Sequence, residues 1–277
     1  MIPAPFEYVR ASSAEEAVSL LADHGDDAKL LAGGMSLLPL MKLRLAVPSV
    51  LVDVGRVRDL SYVRDAGDHV AIGALTRHRE LETSELLAAE CGVLRSVAAE
   101  VGDNQVRHRG TIGGSVAHGD PASDLPAVLL ALDAMFVIRG PGGTEREIAA
   151  GDFFRGFLET ALAPTELLTE LRVPKTPGSG FSYQKFNRRA QDWAIVGAVA
   201  VRSNGAPRVA LVNMGATPLR ARGVEDALAS GASVADAAQA AAEGTEPPSD
   251  LNATPEFREH LARVLVRRAL EAAQAEA

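Results

Sequence analysis

The sequence predicts an α+β chain in two domains, and three observations carry that prediction. A short strand runs straight into Gly33-Gly34 and is followed by a helix and a further strand. A second glycine pair, Gly113-Gly114, closes a longer stretch in which strands and helices alternate. Beyond Val173-Pro174-Lys175-Thr176-Pro177-Gly178-Ser179-Gly180, strands come first and helices after them, the order of a small α+β domain packed on what precedes it. Prolines and glycines interrupt all periodicity in that stretch, which divides the chain into residues 1–176 and 177–277. At 277 residues the chain has room for two domains of the usual size, about 100–200 residues each.

The elements follow in order. Ser13-Ala14-Glu15-Glu16 has the form of a capping box, Ala17, Leu20 and Leu21 supply an apolar stripe, and His24-Gly25 ends the first helix. Lys29–Leu31 reads as a strand, Ser36–Leu45 as an amphipathic helix that tolerates Pro39, and Val50–Val54 as the next strand. His69–Leu75 alternates as a strand, and Thr76 is placed to cap the helix after it. A helix is expected over Val93–Val101, then a polar connector, 102–110. Asp124 and Pro126 signal the start of a helix over Ala127–Leu132, and Ala134–Arg139 is a strand. In the second domain, Phe181–Phe186, Ala194–Val201 and Arg208–Met214 read as an antiparallel sheet, and 223–242 as one or two alanine-rich helices. A last helix, Pro255 to Ala273, is expected to bury Phe257, Leu261, Val264, Leu265 and Ala269.

Composition excludes several classes of function. The net charge is −8 with no long run of one sign, which argues against nucleic acid as a partner. No apolar run approaches the ~20 residues that span a bilayer, and the first residues lack a signal peptide's basic and apolar regions, so a cytoplasmic protein is expected. The single cysteine, Cys91, forms no internal disulfide, and a thiolate-bound iron–sulfur cluster needs about four ligands, so any such cluster belongs to another chain. Cys91 is expected to be a buried thiol.

The chemistry is expected at the glycine pairs. Each stands between an apolar approach and a small hydroxyl residue, where the backbone can adopt positive φ and bring amide N–H groups close to an anion. Neither carries the lysine of a phosphoryl-transfer loop, nor the G-x-G-x-x-G of a dinucleotide fingerprint. The remaining reading is a cradle of amides and hydroxyls, from Ser36, Thr111 and Ser115, around a cofactor's diphosphate. Asp120 and Asp124 have prolines beside them and read as turn and cap rather than as a metal pair. His108 and His118 lack metal-ligand spacing and read as polar or structural; no metal site is expected. Trp193, the one tryptophan, is open to two readings, a core or interdomain aromatic or a flat lid on a cofactor.

Ala32-Gly33-Gly34-Met35-Ser36-Leu37-Leu38-Pro39, Thr111-Ile112-Gly113-Gly114-Ser115 and Gly119-Asp120-Pro121-Ala122-Ser123-Asp124-Leu125-Pro126 together resemble the FAD-binding subunit of molybdenum hydroxylases. The resemblance extends through Tyr183-Gln184-Lys185-Phe186 and Asp192-Trp193-Ala194 to the last helix. It implies a vanillyl-alcohol-oxidase-type (PCMH-type) FAD-binding domain, with lobes at about 1–56 and 57–176, and then the C-terminal α+β domain. It implies FAD held at its diphosphate by Ala32, Gly33, Gly34, Met35 and Ser36 and by Thr111, Ile112, Gly113, Gly114 and Ser115. Asp124 matches a position near the sugar-like part of the cofactor, Leu168 and Lys185 positions around the flavin, and Trp193 an aromatic position beside the isoalloxazine. The family often has His or Gln where this chain has Met35, and Asn where it has Ser115. No side chain is expected to be a catalytic acid or base.

The implied partners are a molybdopterin-binding large subunit and a [2Fe-2S] small subunit, assembled as a heterohexamer, with NAD or a quinone as the external electron acceptor. The alternatives are a stand-alone FAD-dependent reductase or oxidase, and a flavin-free assembly or scaffold subunit.

Overall fold

A computed structural model describes residues 2–203 and 206–275. The first lobe begins with β1 (Glu7–Arg10) and α1 (Ala14–His24). The Ser13 hydroxyl accepts the Glu16 N–H at 3.1 Å, and Gly25, at φ 53°, closes the helix. β2 (Ala28–Leu31), α2 (Leu37–Leu43) and β3 (Val50–Asp53) follow. The strands pair in parallel in the order β1-β3-β2, and α2 is the crossover that parallel pairing requires. Pro39 is tolerated because it lies in the first turn of α2, where an N–H has no intrahelical partner. Ala17 and Leu21 of α1 pack on Val52 and Val54 to form this lobe's core.

The second lobe holds β4 (Val63–Asp65), β5 (His69–Gly73), α3 (His78–Glu82), α4 (Glu85–Glu90), α5 (Gly92–Ala99), α6 (Asn104–Arg109), α7 (Ile112–His118) and α8 (Asp124–Ala131). After them come β6 (Met135–Arg139), β7 (Glu145–Ala149), α9 (Ala150–Phe153), β8 (Phe154–Gly156), β9 (Glu159–Thr160) and β10 (Leu167–Pro174). A five-stranded antiparallel sheet runs β4-β5-β10-β6-β7. Two expectations change here, and one strand is new. Thr76 caps nothing: its hydroxyl accepts the Tyr62 N–H at 3.0 Å and donates to the Tyr62 carbonyl at 2.9 Å. The connector at 102–110 contains α6, whose N-terminus is capped by the Asp103 carboxylate accepting from Val106 N–H at 2.9 Å. The central strand β10 has no period-two pattern because both its faces are buried, with Leu167, Leu168, Thr169, Glu170 and Leu171 all out of solvent.

The C-terminal part contains β11 (Phe181–Phe186), β12 (Val196–Ser203), β13 (Ala206–Val212), β14 (Leu219–Arg220), α10 (Arg222–Ala229), α11 (Val234–Ala237) and α12 (Pro255–Ala275). The strands form an antiparallel sheet in sequence order, as expected. One face of this sheet, with Ala198, Ala200, Val209 and Leu211, packs on α12. Its other face, with Val199, Val201, Ala210 and Val212, joins the core of the second lobe through α5 and α8. Leu261, Leu265 and Ala269 are buried on α12, but Phe257 is 44% exposed and meets Phe186 edge to face, with ring centroids 6.2 Å apart. Arg258 takes the buried place instead.

Candidate functional site

The β2–α2 loop and the start of α7 meet along one cleft of about 680 Å³. A Cβ on Gly33 would strike the Arg109 carbonyl oxygen and the Cα of Gly110, so only glycine lets the first loop lie against the approach to the second. Gly34 has φ +75°, the left-handed region that glycine enters without steric cost. Leu31 ends β2 and Leu37 starts α2, so the loop is pinned at both ends. Among the described residues, the amide N–H groups of Gly33, Gly34, Met35 and Ser36 find no intramolecular acceptor.

The second glycine pair behaves differently from the sequence expectation. Gly113 and Gly114 are helical residues in the first turn of α7, without positive φ. Ile112 and Gly113 donate their N–H groups to the carbonyls of Thr76, at 3.1 Å, and Ala74, at 2.9 Å. Gly114 donates to the Thr111 hydroxyl at 3.1 Å and Ser115 to the Thr111 carbonyl at 3.0 Å. These amides are already used by the fold. Gly113 is needed for close approach, since a Cβ there would lie 2.5 Å from the Cβ of Ala74. The two loops therefore differ in what they offer a ligand: free amides from the first, bare glycine backbone and the Ser115 hydroxyl from the second.

Ala32–Ser36, Thr111, Gly113–Ser115, Asp124, Leu168, Lys185 and Trp193 all line this cleft. Ile112 does not: its side chain is fully buried in the core of the second lobe. Leu168 reaches the cleft beside a β-bulge in the β10–β6 pairing between Leu168 and Glu170, a local shift that re-aims a side chain. Met35 and Trp193 are exposed at the rim, and Trp193, 56% exposed, also borders a second cavity, of about 590 Å³. Trp193 is therefore no core residue.

Asp124 is 7% exposed at the first position of α8, yet it caps no helix. Its Oδ2 accepts from Lys185 Nζ at 2.9 Å and its Oδ1 from the Tyr183 hydroxyl at 2.5 Å. Lys185 Nζ also donates to the Glu100 carbonyl at 3.1 Å. Burial holds the Asp124 carboxyl above the ordinary carboxylate range, although Lys185 and Tyr183 pull the other way. Burial and the adjacent carboxylate push the Tyr183 phenol well up. Asp120 is the turn residue expected, its Oδ1 accepting the Ala122 N–H at 2.8 Å. Among the described residues no cluster of His, Cys, Asp or Glu has the form of a metal site. Cys91 is buried and its thiol is pushed up to about 11, the inert state expected of it.

Other residues join the cleft with little warning from the sequence. His78, 4% exposed, is one; its Nδ1 has no hydrogen-bond partner, and burial lowers its pKa to about 4. His118 also lines the cleft, half-buried and with its pKa lowered by burial, whereas His108 is exposed elsewhere. Leu158, Thr160 and Asp192 line it too. Tyr183 had a usable signal: in a strand, residues two apart share a face, which places it beside Lys185 and next to the same carboxylate.

Comparison with known proteins identifies the family. Residues 4–176 match the family described as the FAD binding domain in molybdopterin dehydrogenase, and residues 181–273 the carbon monoxide dehydrogenase flavoprotein C-terminal domain. The chain is 43% identical to the carbon monoxide dehydrogenase medium chain of Hydrogenophaga pseudoflava, with 99% of each covered. It is 40% identical to the 6-hydroxypseudooxynicotine dehydrogenase complex subunit alpha of Paenarthrobacter nicotinovorans, covering 98% of this chain and 95% of that one. A solved structure of carbon monoxide dehydrogenase from Hydrogenophaga pseudoflava superposes with a TM-score of 0.96, at 44% identity and with both chains covered completely. With two glycine loops on one cleft, a family match across both parts and full-length relatives at this identity, the chain belongs to the FAD-binding medium subunits of the carbon monoxide dehydrogenase family.

Proposed function

We propose that this chain is the electron-exit module of a molybdenum-dependent hydroxylase or dehydrogenase. In this reading it binds FAD in the cleft between the β2–α2 loop and the start of α7, within residues 1–176 and bordered by Lys185 and Trp193, accepts electrons from the [2Fe-2S] clusters of a small subunit, and passes them to NAD or a quinone. A molybdopterin-binding large subunit carries the substrate chemistry, the three chains assemble as a heterohexamer, and the complex works in the cytoplasm. The medium-chain and complex-subunit relatives support this division of labour. So does the single cysteine, which leaves this chain unable to ligate an iron–sulfur cluster by itself.

The observation that carries the proposal is the row of unspent amides at Gly33–Ser36, in residues that line the same cleft as the start of α7. Such a row suits a diphosphate, whose oxygens accept from several N–H groups at once. The unpartnered Nδ1 of His78 on the same wall is a second sign that the cleft is built to receive polar groups. FAD, when bound, supplies a centre that takes up electrons singly and releases them singly or in pairs. The chain's own work is to bind and orient. Ala32–Ser36 with Thr111, Gly113, Gly114 and Ser115 hold the diphosphate end. Asp124, Lys185 and Leu168 shape the interior, and Trp193 borders the open rim.

Reconstitution tests this directly. The purified chain mixed with FAD is expected to retain flavin absorbance through gel filtration and to melt at a higher temperature than the apo-protein. Absence of both results overturns the reading. Copurification of a cysteine-rich chain and a molybdopterin chain from the native host tests the proposed assembly.

A further inference from the structure

Arg258 is the largest fully buried side chain among the described residues, and it sits in the first turn of α12. Both features need explaining. A cation near a helix N-terminus faces the positive end of the macrodipole, and a buried guanidinium is stable only if its donors are used. Its Nη1 donates to the carbonyl of Ile195; its Nη2 is ion-paired with Asp250 Oδ2 at 2.8 Å but makes no well-aligned hydrogen bond, and Nε has no partner. An apolar residue would fill the same space without these costs. What the arginine adds is a grip on Ile195.

A second residue grips the same segment. Asn213 holds a left-handed backbone, φ 62°, a region that few non-glycine residues enter and that asparagine tolerates better than most. From there its Nδ2 donates to the carbonyls of Ala194, at 2.8 Å, and Ile195, at 3.3 Å. Its own N–H donates to the carbonyl of Pro121 at 2.9 Å, tying in the loop that leads to Asp124. The gripped carbonyls belong to the two residues immediately after Trp193. Trp193 lines both the cleft of about 680 Å³ and the neighbouring cavity of about 590 Å³, which Asn213, Asp250 and Arg258 also line.

We propose that Asn213 and Arg258 are positioning residues for Trp193: they clamp the backbone behind it so that the indole stands as a fixed wall between the two cavities. That the larger cavity holds flavin rests on the function proposed above; the clamp itself does not. An indole hung on an unanchored loop would sample both cavities, whereas one with both following carbonyls held keeps one orientation.

Trp193 is the only tryptophan, so its fluorescence reports this position alone. The test uses the full chain with Asn213→Gly, which keeps the left-handed backbone available, Arg258→Met, and Arg258→Lys as the conservative replacement. Arg220→Met is the control, because Arg220 is a nearly buried arginine of the same part of the chain that pairs with Asp133 and Glu225 instead. Circular dichroism and melting temperature establish that each variant folds. In apo-protein, Asn213→Gly and Arg258→Met are expected to raise the acrylamide quenching constant of Trp193 about twofold or more, as a locally released segment does. Arg258→Lys and Arg220→Met are expected to stay near the parent value. Unchanged quenching in Asn213→Gly overturns the proposal, and so does an equal rise in Arg220→Met; if Arg258→Met does not fold, Asn213→Gly decides alone. FAD titration separates the two ideas. If the parent chain binds no FAD but the quenching pattern holds, the cofactor reading fails and the clamp stands.

Discussion

Gly33 shows how much one hydrogen atom in place of a methyl group decides. Backbone atoms of Arg109 and Gly110 occupy the space its Cβ would need, and backbone, unlike the end of a flexible side chain, cannot swing aside. Gly33→Ala is expected to cost about 1–3 kcal/mol as the loop shifts, and to weaken FAD binding about tenfold or more. Gly151→Ala, where nothing lies within 4 Å, is the matching control, and flavin fluorescence titration of both variants is the measurement. At this scale the sequence was legible for the glycine pair as a pair, but not for which amides remain free. That depends on Ala74 and Thr76, whose carbonyls take the N–H groups of the second loop. His78 was not legible, since nothing local marks it for burial. Its pKa falls from 6.5 to about 4 because burial disfavours the charged ring, with Arg77 and Arg107 adding to the effect. A lowered folded-state value means that its neutral form contributes stability above about pH 6.5, and that this contribution drains away as pH falls toward 4. His78→Gln is expected to lose less stability than the parent between pH 7 and pH 4, by up to about 3 kcal/mol. Thermal melts of both proteins across that range check this, and parallel curves contradict it.

The elements meet at the cleft through a few cross-links, one of which joins α8 to β11. Asp124 sits at the head of one and Lys185 and Tyr183 project from one face of the other, all three with little solvent contact. Removing one partner of such a pair leaves the other charge buried and uncompensated. Lys185→Met is therefore expected to destabilise by about 3–5 kcal/mol, and the double variant Asp124→Leu with Lys185→Met to recover much of the loss. Denaturant unfolding of the singles and the double gives the coupling; additive effects would contradict a paired role. Element boundaries were legible where local chemistry sets them. The Ser13 hydroxyl accepting the Glu16 N–H is an example. Local chemistry is silent at β10, buried on both faces; α6 does carry a local signal in its Asp103 cap, and the Arg107–Glu82 ion pair holds it from further away in the chain.

At the scale of the whole molecule, the C-terminal sheet has no solvent face through its central strands. α12 covers one side and α5 and α8 the other, so residues from both family matches share one core. Calorimetry of the full chain is accordingly expected to show these parts melting together, and residues 1–176 expressed alone to aggregate by exposing α5 and α8. Two separated transitions, or a soluble and folded 1–176 fragment, would contradict the shared core. Helix α1, the strands β2, β3, β5 and β6, the antiparallel run β11 to β13 and the pairing of glycines follow from local pattern, because propensity, capping and period act over a few neighbouring residues. The tertiary structure alone decides which amides stay unspent, that Asp124 faces Lys185 rather than its own helix, that His78 loses its water, and that Arg258 displaces Phe257 from the core. Each of these is set by a partner far away in sequence, and burial and pairing energies depend on who that partner is.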